Sequence, residues 1–180
     1  MTRTALKAGT IAGLFALALP ALAGADPIVP ERAPWPGPPW ISIEVPPNPH
    51  DRETRDAFLV VHTYHHGRDA AFEVKGKAEG LVNGERRSLE LELRRTARPG
   101  VYALDKQWPG EGAWVLVIST AGSGEASALV ELGMDGSVAS VTVPTYRQGQ
   151  WTIPRAVTAQ EIAAALDRRA AQLAAAPSRG

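Results

Sequence analysis

The chain has 180 residues, with 19 basic and 19 acidic side chains and no cysteine. That length suits one domain with tails. Zero formal net charge leaves no electrostatic footprint for nucleic acid, and the lack of cysteine excludes disulfides and a lipid-modified cysteine alike.

Residues 1–23 are laid out as a secretory signal peptide. Arg3 and Lys7 form a basic start, Ala8 to Leu19 a short apolar run, and Ala21-Leu22-Ala23 a small-x-small cleavage site. Ala25 offers a second cut, and an uncleaved anchor is the competing reading. The apolar run is shorter than the ~20 residues of a membrane-crossing helix, so no membrane span is expected after cleavage. Loss of Arg3 and Lys7 leaves a slight acidic excess, which suits a protein of the periplasm or the medium.

Prolines crowd residues 24–49, so this arm is expected to be an extended spacer. Within it, Trp40 to Val45 alternates and predicts a first edge strand. Trp35 and Trp40 are expected to pack on the domain, with an aromatic docking surface as the alternative.

Residues 50–145 read as strands and tight turns. Ala57 to His65 is a strand that is apolar on both faces at its start. Ala71 to Ala78 alternates, with Phe72, Val74, Gly76 and Ala78 on one face and charges on the other. Gly80 suggests a bend or bulge. Asn83-Gly84 predicts a type I′ hairpin turn into Ser88–Leu93, whose leucines are expected to face the core. Arg94, Arg95 and Arg98 read as a solvated strand end balancing Glu90 and Glu92.

Two apolar strands then flank Pro109-Gly110-Glu111-Gly112, which predicts a central hairpin over Pro99–Ser119. Tyr102, Leu104, Trp114, Leu116 and Ile118 are its expected core residues. Two further strands, Ala128–Leu132 and Val138–Val143, follow. Residues 146–180 comprise a polar connector and a C-terminal helix. Thr158-Ala159-Gln160-Glu161 is a capping box, and the helix is expected to reach about Ala175 with Ile162, Leu166, Ala170 and Leu173 as its apolar stripe. Seven or eight short strands with hairpin connections predict a mainly β fold, an antiparallel β-sandwich with a C-terminal α-helix.

Val101-Tyr102 after Pro99-Gly100, then Pro109, then Gly112-Ala113-Trp114, form a G-x-Y…P…G-x-W pattern. It resembles exported bacterial immunoglobulin-like domains of the YtkA-like and CopC-like families, over about Val60 to Val143. The resemblance implies an immunoglobulin-like sandwich. Some members of those families handle copper through His and Met ligands. Here the stretch after the leader carries no His near its start and Met134 is the sole methionine beyond it, so those ligands do not carry over.

His62, His65 and His66 form the one cluster with metal-ligand chemistry, suited to copper or zinc. On a strand, His62 and His65 point to opposite faces, and His62 and His66 lie about 13 Å apart, too far to share one ion unless the chain turns. Solvated histidines at a strand end are the plainer expectation. No nucleophile elbow, phosphate loop or dinucleotide fingerprint is present, so no enzyme is expected. The sequence therefore reads as an exported, non-enzymatic β-sandwich module that binds an unidentified periplasmic protein or serves a structural role. The alternative is a copper- or zinc-binding accessory domain at His62, His65 and His66.

Overall fold

The first strand falls in the proline-free run between Pro39 and Pro46, where every residue can donate to a ladder. In the computed structural model, residues 38–121 and 125–176 are described. They belong to one compact unit, Ala33–Gly180. The signal peptide, the start of the Pro-rich arm with Trp35, and Gly122-Ser123-Gly124 lie outside the described residues.

The strands in chain order are β1 (Trp40–Glu44), β2 (Leu59–His65), β3 (Arg68–Asp69), β4 (Glu73–Val82), β5 (Glu85–Leu91) and β6 (Leu93–Arg95). Then follow β7 (Val101–Leu104), β8 (Ala113–Ala121), β9 (Glu125–Leu132), β10 (Val138–Thr142), β11 (Thr145–Gln148) and β12 (Trp151–Pro154). One helix, α1 (Ala159–Ala175), closes the chain. The structure is mainly β with a C-terminal helix, as the alternation and turns predict.

Two antiparallel sheets are stacked. The first runs β1-β2-β7-β6, with β3 paired to the end of β2; the second runs β10-β9-β8-β4-β5. Leu59, Val61, Tyr102 and Leu104 of the first sheet meet Ala78, Trp114, Leu116, Ile118 and Val130 of the second in one core. Asn83 and Gly84 both take positive φ, 52° and 83°, as a type I′ turn requires.

Two strand assignments expected from the sequence are corrected first. Pro99–Ser119 is not a hairpin: β7 pairs β2 and β6 in the first sheet, whereas β8 pairs β4 and β9 in the second. The turn between them is a crossover, and Trp108 within it is buried edge-on against Phe58, 4.9 Å between centroids. The run Ser88–Leu93 also changes sheet, at Glu92. Its backbone N–H and C=O are both held by the Gln107 side chain, at 2.8 and 2.7 Å. β5 is thus an edge strand, which leaves Leu89 37% exposed while Leu91 is buried.

The arginines after this crossover do not answer to Glu90 and Glu92. Arg94 donates to the Glu53 carbonyl at 2.9 Å, Arg98 pairs with Asp51, and Arg95 lies 5.9 Å from the Tyr102 ring centroid. The Arg94 and Arg98 contacts tie Glu53 and Asp51 to the first sheet, on whose outward side Val60, Val101 and Ala103 are buried. The outer side of the second sheet is covered by α1: Ala165 and Leu166 pack on Val115 and Leu129.

Gly80 is neither bend nor bulge. It sits within β4 opposite Trp114, and a Cβ there would lie 2.5 Å from the indole. The missing side chain is the space that Trp114 fills.

Candidate functional site

Strand alternation sorts the histidines of β2. Leu59, Val61, Thr63 and His65 point toward the core side, and His62 and Tyr64 point outward. His62 Nε2 lies 2.8 Å from Glu44 Oε2 on the neighbouring strand β1. The His62 ring lies nearly parallel to the Tyr64 ring, 6.2 Å between centroids. Ser42 sits opposite His62, and its hydroxyl donates to the Tyr64 hydroxyl at 3.4 Å. Ser42, His62 and Glu44 therefore share one face, but the Ser42 proton is directed at Tyr64 rather than His62.

His65 departs from the expectation of a solvated residue. It continues the core-facing row and is buried at the end of the sandwich, its ring 6.1 Å from Phe72. His66 begins a two-residue turn with Gly67, both at positive φ (50° and 73°). That turn folds the His66 ring against His65, 4.1 Å between centroids at 77°. The structure thus brings His65 and His66 together and leaves His62 on the other face with Glu44. Among the described residues, no group of three or more His, Cys, Asp or Glu is poised around one ion.

No family model matches this chain, and no curated protein or solved structure does either. The functional reading therefore rests on the surface the chain itself presents.

The connector after Pro144 holds what the sequence reading missed. β11 and β12 pair as a separate two-stranded ribbon, with Gly149 at φ 60° opening its two-residue turn. Glycine at that first position is the type II′ signature, and the aromatic residues on either side, Tyr146 and Trp151, were the legible signal for strands. Tyr146 stands opposite Ile153, and Trp151 is two residues before Ile153 on the same strand. The two aromatics therefore share one face. Trp151 is 67% exposed and Tyr146 47%.

The base of this ribbon is fixed to the helix. Arg155 donates twice to Glu161, at 2.9 and 2.7 Å. Glu161 also accepts from Thr158 N at 2.8 Å, and its own N–H donates to Thr158 Oγ1 at 3.2 Å, the reciprocal capping box. The Arg155 guanidinium, then the Thr158 amide, hold the Glu161 carboxyl down at about 2. Arg168 binds Glu131 of β9 at 2.7 Å, a second tie between helix and sheet.

Beside α1, the second sheet carries depressions of about 190 and 330 Å³, the larger one bordered by Ile162 of the helix. Their charges compensate one another: Lys75 pairs with Glu73 at 3.7 Å and Lys77 with Glu90 at 3.3 Å. Among the described residues, no helix is long and apolar enough to cross a membrane.

Proposed function

We propose that this chain is an exported, non-enzymatic binding module that contacts a protein partner in the periplasm or the medium through its β11–β12 ribbon. One observation carries the reading: Trp151 and Tyr146 stand exposed on one face of a ribbon outside both sheets. Leaving large aromatic surface in water is unfavourable, and Trp and Tyr are the residues that anchor protein interfaces. A two-stranded ribbon is also marginal alone, so a partner that covers its aromatic face stabilises it.

The reading includes an immunoglobulin-like class for the sandwich. The orders β1-β2-β7-β6 and β9-β8-β4-β5 follow the A-B-E-D and G-F-C-C′ arrangement of such domains, which supports it. The resemblance to YtkA-like and CopC-like domains belongs to the same proposal, as does export through residues 1–23.

The test is affinity capture from a periplasmic extract with the wild-type chain and with Trp151→Ser, both checked for folding by circular dichroism. Partners captured by the wild type and lost with Trp151→Ser support the ribbon. An identical set of captured proteins removes it from the proposal.

A second reading, copper or zinc binding, is favoured by the 4.1 Å approach of the His65 and His66 rings. Two imidazoles supply half of a tetrahedral zinc shell, and His62 is directed to Glu44 instead. Calorimetric titration of the wild type and a His65→Ala, His66→Ala double variant with each metal tests it. Heat that the double variant abolishes supports the site, and no heat at micromolar metal overturns it.

A further inference from the structure

Helix α1 carries a charge where its apolar stripe meets the sandwich. Arg169 is 6% exposed, and among the described residues it is the only Lys, Arg, Asp or Glu that is buried. Among the described residues its hydrogen-bond partner is a poor one. One terminal N–H donates to the thioether sulfur of Met134 at 3.1 Å, a weak acceptor. Its Nε is buried without a hydrogen-bond partner among the described residues.

Asp135 attracts the guanidinium, but its Oδ1 is hydrogen-bonded to Ser137. Asp135 Oδ1 accepts from the Ser137 amide at 3.0 Å and the Ser137 hydroxyl at 2.7 Å. Burial pulls the Arg169 guanidinium below its usual range, and the attraction of Asp135 offsets this only in part. An arginine stays protonated even so. A buried cation thus remains without a hydrogen-bonded counter-charge, an arrangement far less favourable than a missing neutral hydrogen bond.

A cavity of about 30 Å³ adjoins it, lined by Lys106, Trp108, Gly110, Trp114, Leu132 and Arg169 among others. Two of the lining residues are cationic and none is acidic. A cavity of roughly 10–15 Å³ already admits one water-sized particle, so this one has room for a single small ion. Water filling it would satisfy Nε but add no charge to the part that Asp135 supplies, whereas an anion does both.

We propose that this cavity is a binding site for one small monovalent anion of the halide class, held by the Arg169 guanidinium with Lys106 as the second positive wall. The ion links the middle of α1 to the β7–β8 crossover and the β9–β10 turn, whose residues line the same cavity.

Two measurements on the folded chain test the site. Crystals grown without chloride and soaked in sodium bromide are expected to show an anomalous peak within hydrogen-bonding distance of Arg169 Nε. Bromide found only at surface lysines, or water alone in the cavity, overturns the proposal. In solution, the wild-type Tm is expected to rise by about 3 °C in sodium chloride over sodium gluconate of equal ionic strength, gluconate being too large to enter. Arg169→Met, which fills the space without charge, is expected to melt alike in both salts, and Lys106→Met to show a smaller rise than the wild type. Equal wild-type melting in the two salts overturns the proposal even where Arg169→Met fails to fold.

Discussion

Replacing Gly80 by alanine drives a methyl group into the Trp114 indole. The added Cβ lies 2.5 Å from Cε3 and Cζ3 and 2.8 Å from Cδ2 of the ring. Carbon atoms in contact prefer about 3.5–4.0 Å, so the methyl or the ring must move by roughly an ångström. The ring has little freedom to do so. It is 3% exposed, it sits in the shared core, and its Nε1–H donates to the Glu111 carbonyl at 2.6 Å. Overpacking of this kind costs about 1–3 kcal/mol. Alanine recovers about 0.5–1 kcal/mol of backbone entropy relative to glycine. The net expected loss is about 1–2 kcal/mol, or a Tm lower by roughly 3–7 °C for a domain of this size. Thermal melts and urea titrations of Gly80→Ala measure it. Gly110→Ala is the control: no atom lies within 4 Å of its new Cβ, so its stability is expected to stay level or rise slightly. Gly80→Ala melting with the wild type would refute the placement of the indole across Gly80.

Three further outcomes follow from the geometry. The Glu161 carboxyl is held at about 2, below its usual 4.5, so it contributes stability above the higher value that is lost as pH falls toward the lower one. Arg155 and Glu161 are each 36% exposed, and water screens the pair, which limits the gain to about 1 kcal/mol. Melting curves between pH 6 and pH 2.5 are expected to show wild type and Glu161→Gln converging as pH falls; a constant gap contradicts the assignment. Leu166→Ala removes the buried anchor of α1 on Val115 and Leu129, and a loss of about 2–5 kcal/mol in urea unfolding is expected. Trp151→Ser is expected to leave the stability in urea unfolding within about 0.5 kcal/mol of the wild type, because the side chain is mostly in water. A larger drop would show that the ribbon packs on the sandwich.

Local chemistry was legible in the sequence. Asn83-Gly84 names its own turn, because few other residue pairs accept two positive φ values. The Thr158–Glu161 box marks a helix start through bonds that span three residues. Tyr102 and Trp114 are buried as their alternating strands require. Pairing between distant strands was not legible. Two apolar strands around Pro109–Gly112 look the same whether they pair with each other or cross between sheets, and only the partners β2, β6, β4 and β9 decide it. Alternation likewise runs through Glu92 unbroken, so nothing local marks the change of sheet that Gln107 stabilises.

The candidate site was less legible still. His65 looked like a strand-end residue open to water, yet its parity with Leu59 and Val61 carries it into the core side. Arg169 lies three residues after Leu166, within the stripe's own spacing, but a charged residue does not register as part of an apolar pattern. Trp151 was visible as an aromatic in a polar connector. That it pairs into a ribbon and remains exposed depends on Gly149 and on the absence of covering contacts, which pattern alone does not supply.

Photo-crosslinking in the cell tests the central claim most directly. A benzophenone amino acid is placed at position 151 on the ribbon or, as control, at position 86 on the exposed β5 edge. A discrete protein adduct from position 151 and none from position 86 is the predicted result. No adduct at 151, or the same adduct from both positions, contradicts a binding role for the ribbon.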